Sequence, residues 1–219
     1  MMPALKMAQL HVITDETIQD RFSHLELARL AAEGGADAVQ LRDKSAGSSR
    51  RLVETAKAIA RALKGSETRL LVNDRVDVAM AAGAHGVHLG EDDVEPGIAR
   101  RLLGPNALIG ATAHGLEEAL RLAEEPVDYL GVGPVYGTGS KADPLPALGL
   151  SALHRIIRAA AKPVIAIGNI TPDRVEEVME AGARGVAVIA AVVCQPDPLE
   201  ATRRLREAMM RCRPTRVEG

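Results

Sequence analysis

Aromatic residues are almost missing from this chain. Its 219 residues include one Phe, two Tyr and no Trp. That excludes a stacking platform for single-stranded nucleic acid, which needs an aromatic face for successive bases. It also leaves the core to Ala, Val, Leu and Ile, a composition suited to close helix-on-sheet packing. Cysteine is scarce too. Cys194 and Cys212 have no metal-type spacing and form no disulfide framework, so they read as reduced thiols in a cytoplasmic protein. No long apolar run is present: VAVIAAVVC at 186–194 is too short to span a membrane. The opening MMPALKMAQLHVIT has one Lys but neither an apolar signal core nor a cleavage site. Charge of one sign is not in excess either. A net charge of -2 gives no global attraction for polyanions, so any phosphate site must be local. Neither nucleic acid nor a membrane is expected as a partner.

What is present is a globular composition, 47% hydrophobic and 26% charged, long enough for one large α/β domain. The stretch Leu70 to Asp93 shows how the chain is built. LLVN runs into Asp74, and GVHLG runs into Glu91, Asp92 and Asp93. Between them VDVAMAAG has helical apolar spacing and stops at Gly83. This is a strand, a helix and a strand, whose two strands can lie side by side in parallel. Both acidic clusters then leave the same end of the sheet, where Asp74 and Asp93 can share one hard cation. A single acid after a strand is ordinarily a solvated loop residue. Two clusters in register, one behind Asn73, point to a metal site.

The same alternation runs along the chain. Strands are expected at LHVIT (10–14), AVQLR (38–42), LIGAT (108–112), YLGVG (129–133), PVIAIG (163–168) and GVAVIA (185–190). Helices are expected from Ser23 to Ala32, from a Ser48 or Ser49 cap to about Leu63, and from Pro96 to near Gly104. Others follow in AHGLEEALRLAEE, at 150–160, behind a Thr171 cap with Pro172 at N1, and at 198–211. About eight strand–helix units and no linker give a single (β/α)8 TIM barrel over 1–219 with short tails. A doubly wound sheet would want a Gly-rich first turn, and LHVITDET has none.

In such a barrel the C-terminal strand ends share one mouth. Gln40, Arg42 and Lys44 alternate at one such end, where they could converge on an anion or simply form a charged rim. Asn73, Asp74, Asp93 and Thr112 stand at others. The longest connection, residues 134–149, carries GTGSK. There Gly137 and Gly139 permit close backbone approach, Thr138 and Ser140 offer hydroxyls, and Lys141 offers charge. Its spacing is wrong for a Walker motif. Gly168-Asn169 and Ile189-Ala190 fall where barrels of this kind often bind phosphate. Together these residues suit two small phosphorylated substrates and a Mg²⁺ held by carboxylates. No Ser-His-Asp or Cys-His arrangement stands out. His88 reads as core or rim, and His114 faces the mouth side.

QLRDK at 40–44, NDRVDVAMAAGAHGVHLGEDD at 73–93, IGATAHGLEEA at 109–119, GVGPVYGTGSKAD at 131–143, AIGNITPDRVEEVMEAGARGVAVIAA at 166–191 and DPLEA at 197–201 resemble thiamine-phosphate synthase over nearly the whole chain. The resemblance implies a Mg²⁺-dependent transferase on a (β/α)8 barrel. It would join an aminopyrimidine-methyl diphosphate to a thiazole phosphate, releasing pyrophosphate. It places Gln40, Arg42, Lys44, Asn73, Thr112 and Lys141 on the pyrimidine diphosphate, with Arg42, Thr112 and Lys141 as catalytic candidates. It places Asp74 and Asp93 on the metal, and Thr138, Ser140, Gly168, Asn169, Ile189 and Ala190 at the thiazole phosphate. Asp43 replaces a common Glu, Thr112 a Ser, Ser140 a Thr and Ala142 a frequent Lys. Asn169 replaces Gly in the phosphate turn, and Ala190 replaces Ser and loses a hydroxyl. The rivals are a thiazole tautomerase-like relative and a non-catalytic phosphate sensor on the same barrel. A homo-oligomer is compatible with the sequence.

Overall fold

The structure is a computed structural model that describes residues 9–45, 47–137 and 146–212. Eight parallel strands close into a barrel in sequence order. They are β1 (Leu10–Thr14), β2 (Ala38–Leu41), β3 (Arg69–Asn73), β4 (Gly86–Leu89), β5 (Leu108–Ala113), β6 (Tyr129–Val132), β7 (Val164–Ile167) and β8 (Gly185–Val188). The outer helices are α1 (His24–Glu33), α2 (Ser49–Ala62), α3 (Val76–Ala82), α4 (Pro96–Leu103), α5 (Leu116–Ala123), α6 (Leu150–Ala160), α7 (Val175–Glu180), α8 (Ala190–Val193) and α9 (Pro198–Arg211). None of the described helices is long and apolar enough to cross a membrane.

Strand alternation separates two cores. Leu10, Val12, Val39, Leu41, Leu70 and Val72 face outward and pack under the helices with the same parity of β4 to β8. Ile13, Ala38, Leu71, Tyr129, Ile165 and Ala187 face inward and fill the barrel. Large rings fit in that interior only because small residues face them: a Cβ on inward Gly110 would sit 2.1 Å from the Tyr129 ring.

Local signals set the helix starts. Ser23 and Glu26 form a reciprocal capping box ahead of α1. Of the two serines before α2, Ser48 is the cap, and it accepts from the Arg51 N–H. Two expectations are corrected. Thr171 takes the N-cap position ahead of Pro172 as expected, but of a 3₁₀ turn, Pro172–Arg174, that precedes α7; its side chain makes no cap bond, and its hydroxyl bonds the Asp173 carboxylate. The last strand stops at Val188. Ile189 turns the chain (φ -118, ψ -87), so Ala190 opens the short α8 instead of ending a strand.

Candidate active site

The C-terminal strand ends open on one cavity of about 860 Å³. Gln40, Arg42, Lys44, Asn73, Asp74, Asp93, Thr112, Gly168, Asn169, Ile189 and Ala190 all line it. Parallel closure accounts for this, because residues far apart in sequence reach the same rim at the same end of each strand. Thr138, Ser140 and Lys141 lie outside the described residues.

One side of the mouth is charged. Asp74 follows β3 with φ 63, in the left-handed region that few non-glycine residues adopt, and its N–H donates to the His88 carbonyl at 2.8 Å. Such a conformation in a cavity-lining residue fits a functional position. Asp93 curls back so that its carboxylate accepts from the Gly90 N–H at 2.6 Å. Burial pushes the Asp93 carboxyl above its usual range, and the neighbouring Asp74 carboxylate pushes the same way, against the Gly90 N–H and Lys44. Lys44 itself pairs with Asp74. A carboxyl group whose charge a neighbouring carboxylate opposes can, together with that neighbour, seat a dication. Among the described residues no group of three or more His, Cys, Asp or Glu side chains could hold a metal ion. The pair would therefore need ligand oxygens and water to complete a cation's shell.

Arg42, just past β2, is held by Asp15. That aspartate follows β1, is 1% exposed in its side chain, and is fixed in turn by the Thr17 N–H at 2.8 Å. Behind this pair His24 is buried, its Nε2 3.8 Å from Glu16 and 3.7 Å from Asp43. Nε2 has no hydrogen-bond partner. Burial lowers the His24 pKa below its usual value although Glu16, Asp43 and Asp15 oppose the shift.

The cavity floor is polar. Gln40 is buried and its amide donates to Asn73 Oδ1 at 3.4 Å. His88 sits in the barrel interior, with Nδ1 3.0 Å from the Tyr129 hydroxyl and Nε2 2.8 Å from the Thr112 hydroxyl. Burial lowers its pKa to about 4, so the ring is neutral near pH 7. His88 is thus core, as its place in a strand suggested, but core that touches a site candidate. His11 and Tyr129, also inward and cavity-lining, were not singled out by sequence reasoning, nor was Asp15 as the partner of Arg42. Counting strand parity back from Gln40 and Thr112 would have placed both rings inward. His114 does reach the mouth, with Nδ1 3.3 Å from Glu118.

The opposite side of the mouth is made of backbone. Gly168 has φ +112, and a Cβ there would lie 2.5 Å from Pro134 Cα. Only glycine fits that turn. Asn169 follows at φ 50, a left-handed position that Asn tolerates well. The Arg174 guanidinium donates to the Asn169 carbonyl at 2.8 Å and lies 4.5 Å above the Tyr136 ring. Val135 and Tyr136 donate their N–H groups to Ile167 and Gly168, which ties the start of the long connection to the end of β7.

The sequence pattern of the family described as thiamine monophosphate synthase matches residues 10–192. The chain is similar to the thiamine-phosphate synthase of Methanoculleus marisnigri, with 49% identity over 90% of this chain and 93% of that one. It is also similar to that of Salinibacter ruber, with 47% identity over 92% of this chain and 88% of the relative. Among solved structures, the thiamine phosphate pyrophosphorylase from Pyrococcus furiosus superposes with a TM-score of 0.83 at 38% identity, covering 93% of this chain and 96% of the other. The chain belongs to the thiamine-phosphate synthase family.

Proposed function

We propose that this chain transfers an aminopyrimidine-methyl group from its diphosphate to the nitrogen of a thiazole phosphate, releasing pyrophosphate and forming thiamine monophosphate. The observation that carries the reading is the mouth itself. A cationic and carboxylate side and a glycine turn face each other across one cavity, in a chain of this family. Gln40, Arg42, Lys44, Asn73 and Thr112 would hold the pyrimidine diphosphate, with Thr112 at its leaving diphosphate. Asp74 and Asp93 would hold Mg²⁺, which when bound would neutralise charge on the departing diphosphate. Gly168, Asn169, Ile189 and Ala190 would seat the thiazole phosphate against backbone. Thr138, Ser140 and Lys141 keep the roles that the family resemblance gives them.

The work left to these residues is alignment and electrostatic stabilisation, not covalent chemistry. A tautomerase-like relative would have no use for the strained Asp74 beside Asp93. The cysteines, neither in a disulfide, suit a cytoplasmic location. The test is purified protein with both substrates, with and without Mg²⁺. Thiamine phosphate and pyrophosphate should appear in equal amounts, only when both substrates and Mg²⁺ are present. Absence of product under those conditions would overturn the reading.

A further inference from the structure

Beneath the charged rim, three polar side chains form a line through the barrel. Tyr129 of β6, His88 of β4 and Thr112 of β5 are joined by contacts of 3.0 Å and 2.8 Å through the two imidazole nitrogens. The fold makes room for this line. A Cβ on Gly110 would lie 2.4 Å from the Tyr129 hydroxyl, and one on Gly131 would lie 2.8 Å from His88 Cε1. Tyr129 is 2% exposed and packs with Ile13, Ala38, Leu71, Ile165 and Ala187. In that company a phenylalanine would avoid burying a hydroxyl at all.

The direction of the line follows from acid strength. A phenol donates a hydrogen bond better than a neutral imidazole does, and an imidazole nitrogen accepts better than a phenol oxygen. Tyr129 therefore donates to Nδ1. The single ring hydrogen of a neutral imidazole then sits on Nε2 and is donated to Thr112 Oγ1. With that oxygen accepting from His88, the Thr112 hydrogen has to point elsewhere, and Thr112 lines the cavity. The opposite tautomer would draw the Thr112 hydrogen back onto His88 and leave only an acceptor facing the ligand.

We propose that Tyr129 and His88 are positioning residues that hold the Thr112 hydroxyl as a hydrogen-bond donor to the bound pyrimidine diphosphate. This rests on the functional reading above. A donor aimed in advance needs no reorganisation when negative charge grows on the leaving group, so its benefit falls on the chemical step more than on binding.

Two measurements test it. The first is nitrogen NMR of the full chain carrying isotope-labelled histidine, with His88 assigned from the signal lost in His88→Gln. The expected result is a neutral ring protonated on Nε2, and a shifted tautomer balance in Tyr129→Phe. A ring protonated on Nδ1 in the wild type, or a balance indifferent to Tyr129→Phe, would overturn the proposal. This arm needs no turnover, so it remains decisive even if the protein makes no thiamine phosphate.

The second measurement is kinetic. Thr112→Val is expected to lower kcat about 100-fold. Tyr129→Phe should lower it about tenfold while both KM values stay within about twofold. The double variant should be no slower than Thr112→Val alone, because the line acts through that hydroxyl. His88→Gln, whose amide can still donate to Thr112, should keep more kcat than His88→Leu at matched thermal stability. A Tyr129→Phe enzyme with wild-type kcat, additive losses in the double variant, or equal losses in Gln and Leu would each overturn the proposal.

Discussion

The two sides of the mouth are built by different means. On the side of β2 to β4 the lining is charged side chains that stand against one another. Asp15 holds Arg42, Lys44 pairs with Asp74, and Asp74 stands beside Asp93. On the side of β7 and β8 the lining is the backbone turn of Gly168 and Asn169, braced by Arg174 and by N–H groups of residues 135 and 136. A charge-based site can be weakened by a change that leaves its shape intact. A backbone site changes little when side chains are swapped, unless the substitution alters φ or adds a Cβ. Variants can therefore separate the two.

The largest effect belongs to the carboxylate pair. Asp74→Asn or Asp93→Asn should cut turnover at limiting Mg²⁺ by about 100-fold or more, with the fold retained. Steady-state rates across a Mg²⁺ titration, alongside circular dichroism, measure both. Rates within a few-fold of wild type in both variants would remove the metal assignment.

Gly168→Ala attacks the other side. The new methyl meets Pro134 backbone at a left-handed φ, so stability should fall by about 2 kcal/mol and the thiazole phosphate KM should rise. The diphosphate KM should stay near wild type. Denaturant midpoints read with both KM values will show whether the damage is confined to one subsite.

Asp15→Asn makes the matching change beneath the charged side. It removes the carboxylate that holds Arg42 but leaves Arg42 in place. The diphosphate KM is expected to rise about tenfold, with a loss of about 3 kcal/mol in stability, because a buried pair is broken on one side only. A thiazole phosphate KM that rises equally would mean that the two sides are not independent.

Ala190→Ser tests whether the backbone side lacks a hydroxyl. One new hydrogen bond of about 1 kcal/mol would lower the thiazole phosphate KM about fivefold and leave the diphosphate KM alone. An unchanged or higher KM would show that Ala190 is not what limits that subsite.

The smallest effect is a pH dependence of stability from His24. Its folded pKa lies below the ordinary value of 6.5, so below that pH the unfolded chain takes up a proton that the folded chain resists. Stability should fall as the pH drops through and below 6.5, with no contribution from His24 above that range. His24→Gln should flatten this part of the profile in urea melts. A profile unchanged by the substitution would assign the slope to other groups.

The same contrast explains what could be read in the sequence. The barrel was legible because short apolar runs such as LLVN and GVHLG alternate with helical stretches that end in glycine. The charged side was legible because Arg42, Lys44, Asp74 and Asp93 are chemically conspicuous and stand at strand ends. Asp15 was visible only as the end of a strand, because its pairing with Arg42 is made across β1 and β2. The Tyr129–His88–Thr112 line was hidden for a similar reason, since each contact joins different strands. The backbone side was legible in place, through Gly168-Asn169, but not in detail. Neither the left-handed turn at Asn169 nor the helical start at Ala190 follows from composition; both depend on how β7 and β8 end.

The most direct test of a divided mouth is calorimetric titration of the wild type and Asp93→Asn with each substrate separately, with and without Mg²⁺. Pyrimidine diphosphate binding should tighten with Mg²⁺ in the wild type and lose that dependence in Asp93→Asn, while thiazole phosphate binding ignores both the metal and the substitution. Thiazole phosphate affinity that follows Mg²⁺, or diphosphate affinity that does not, would contradict the account.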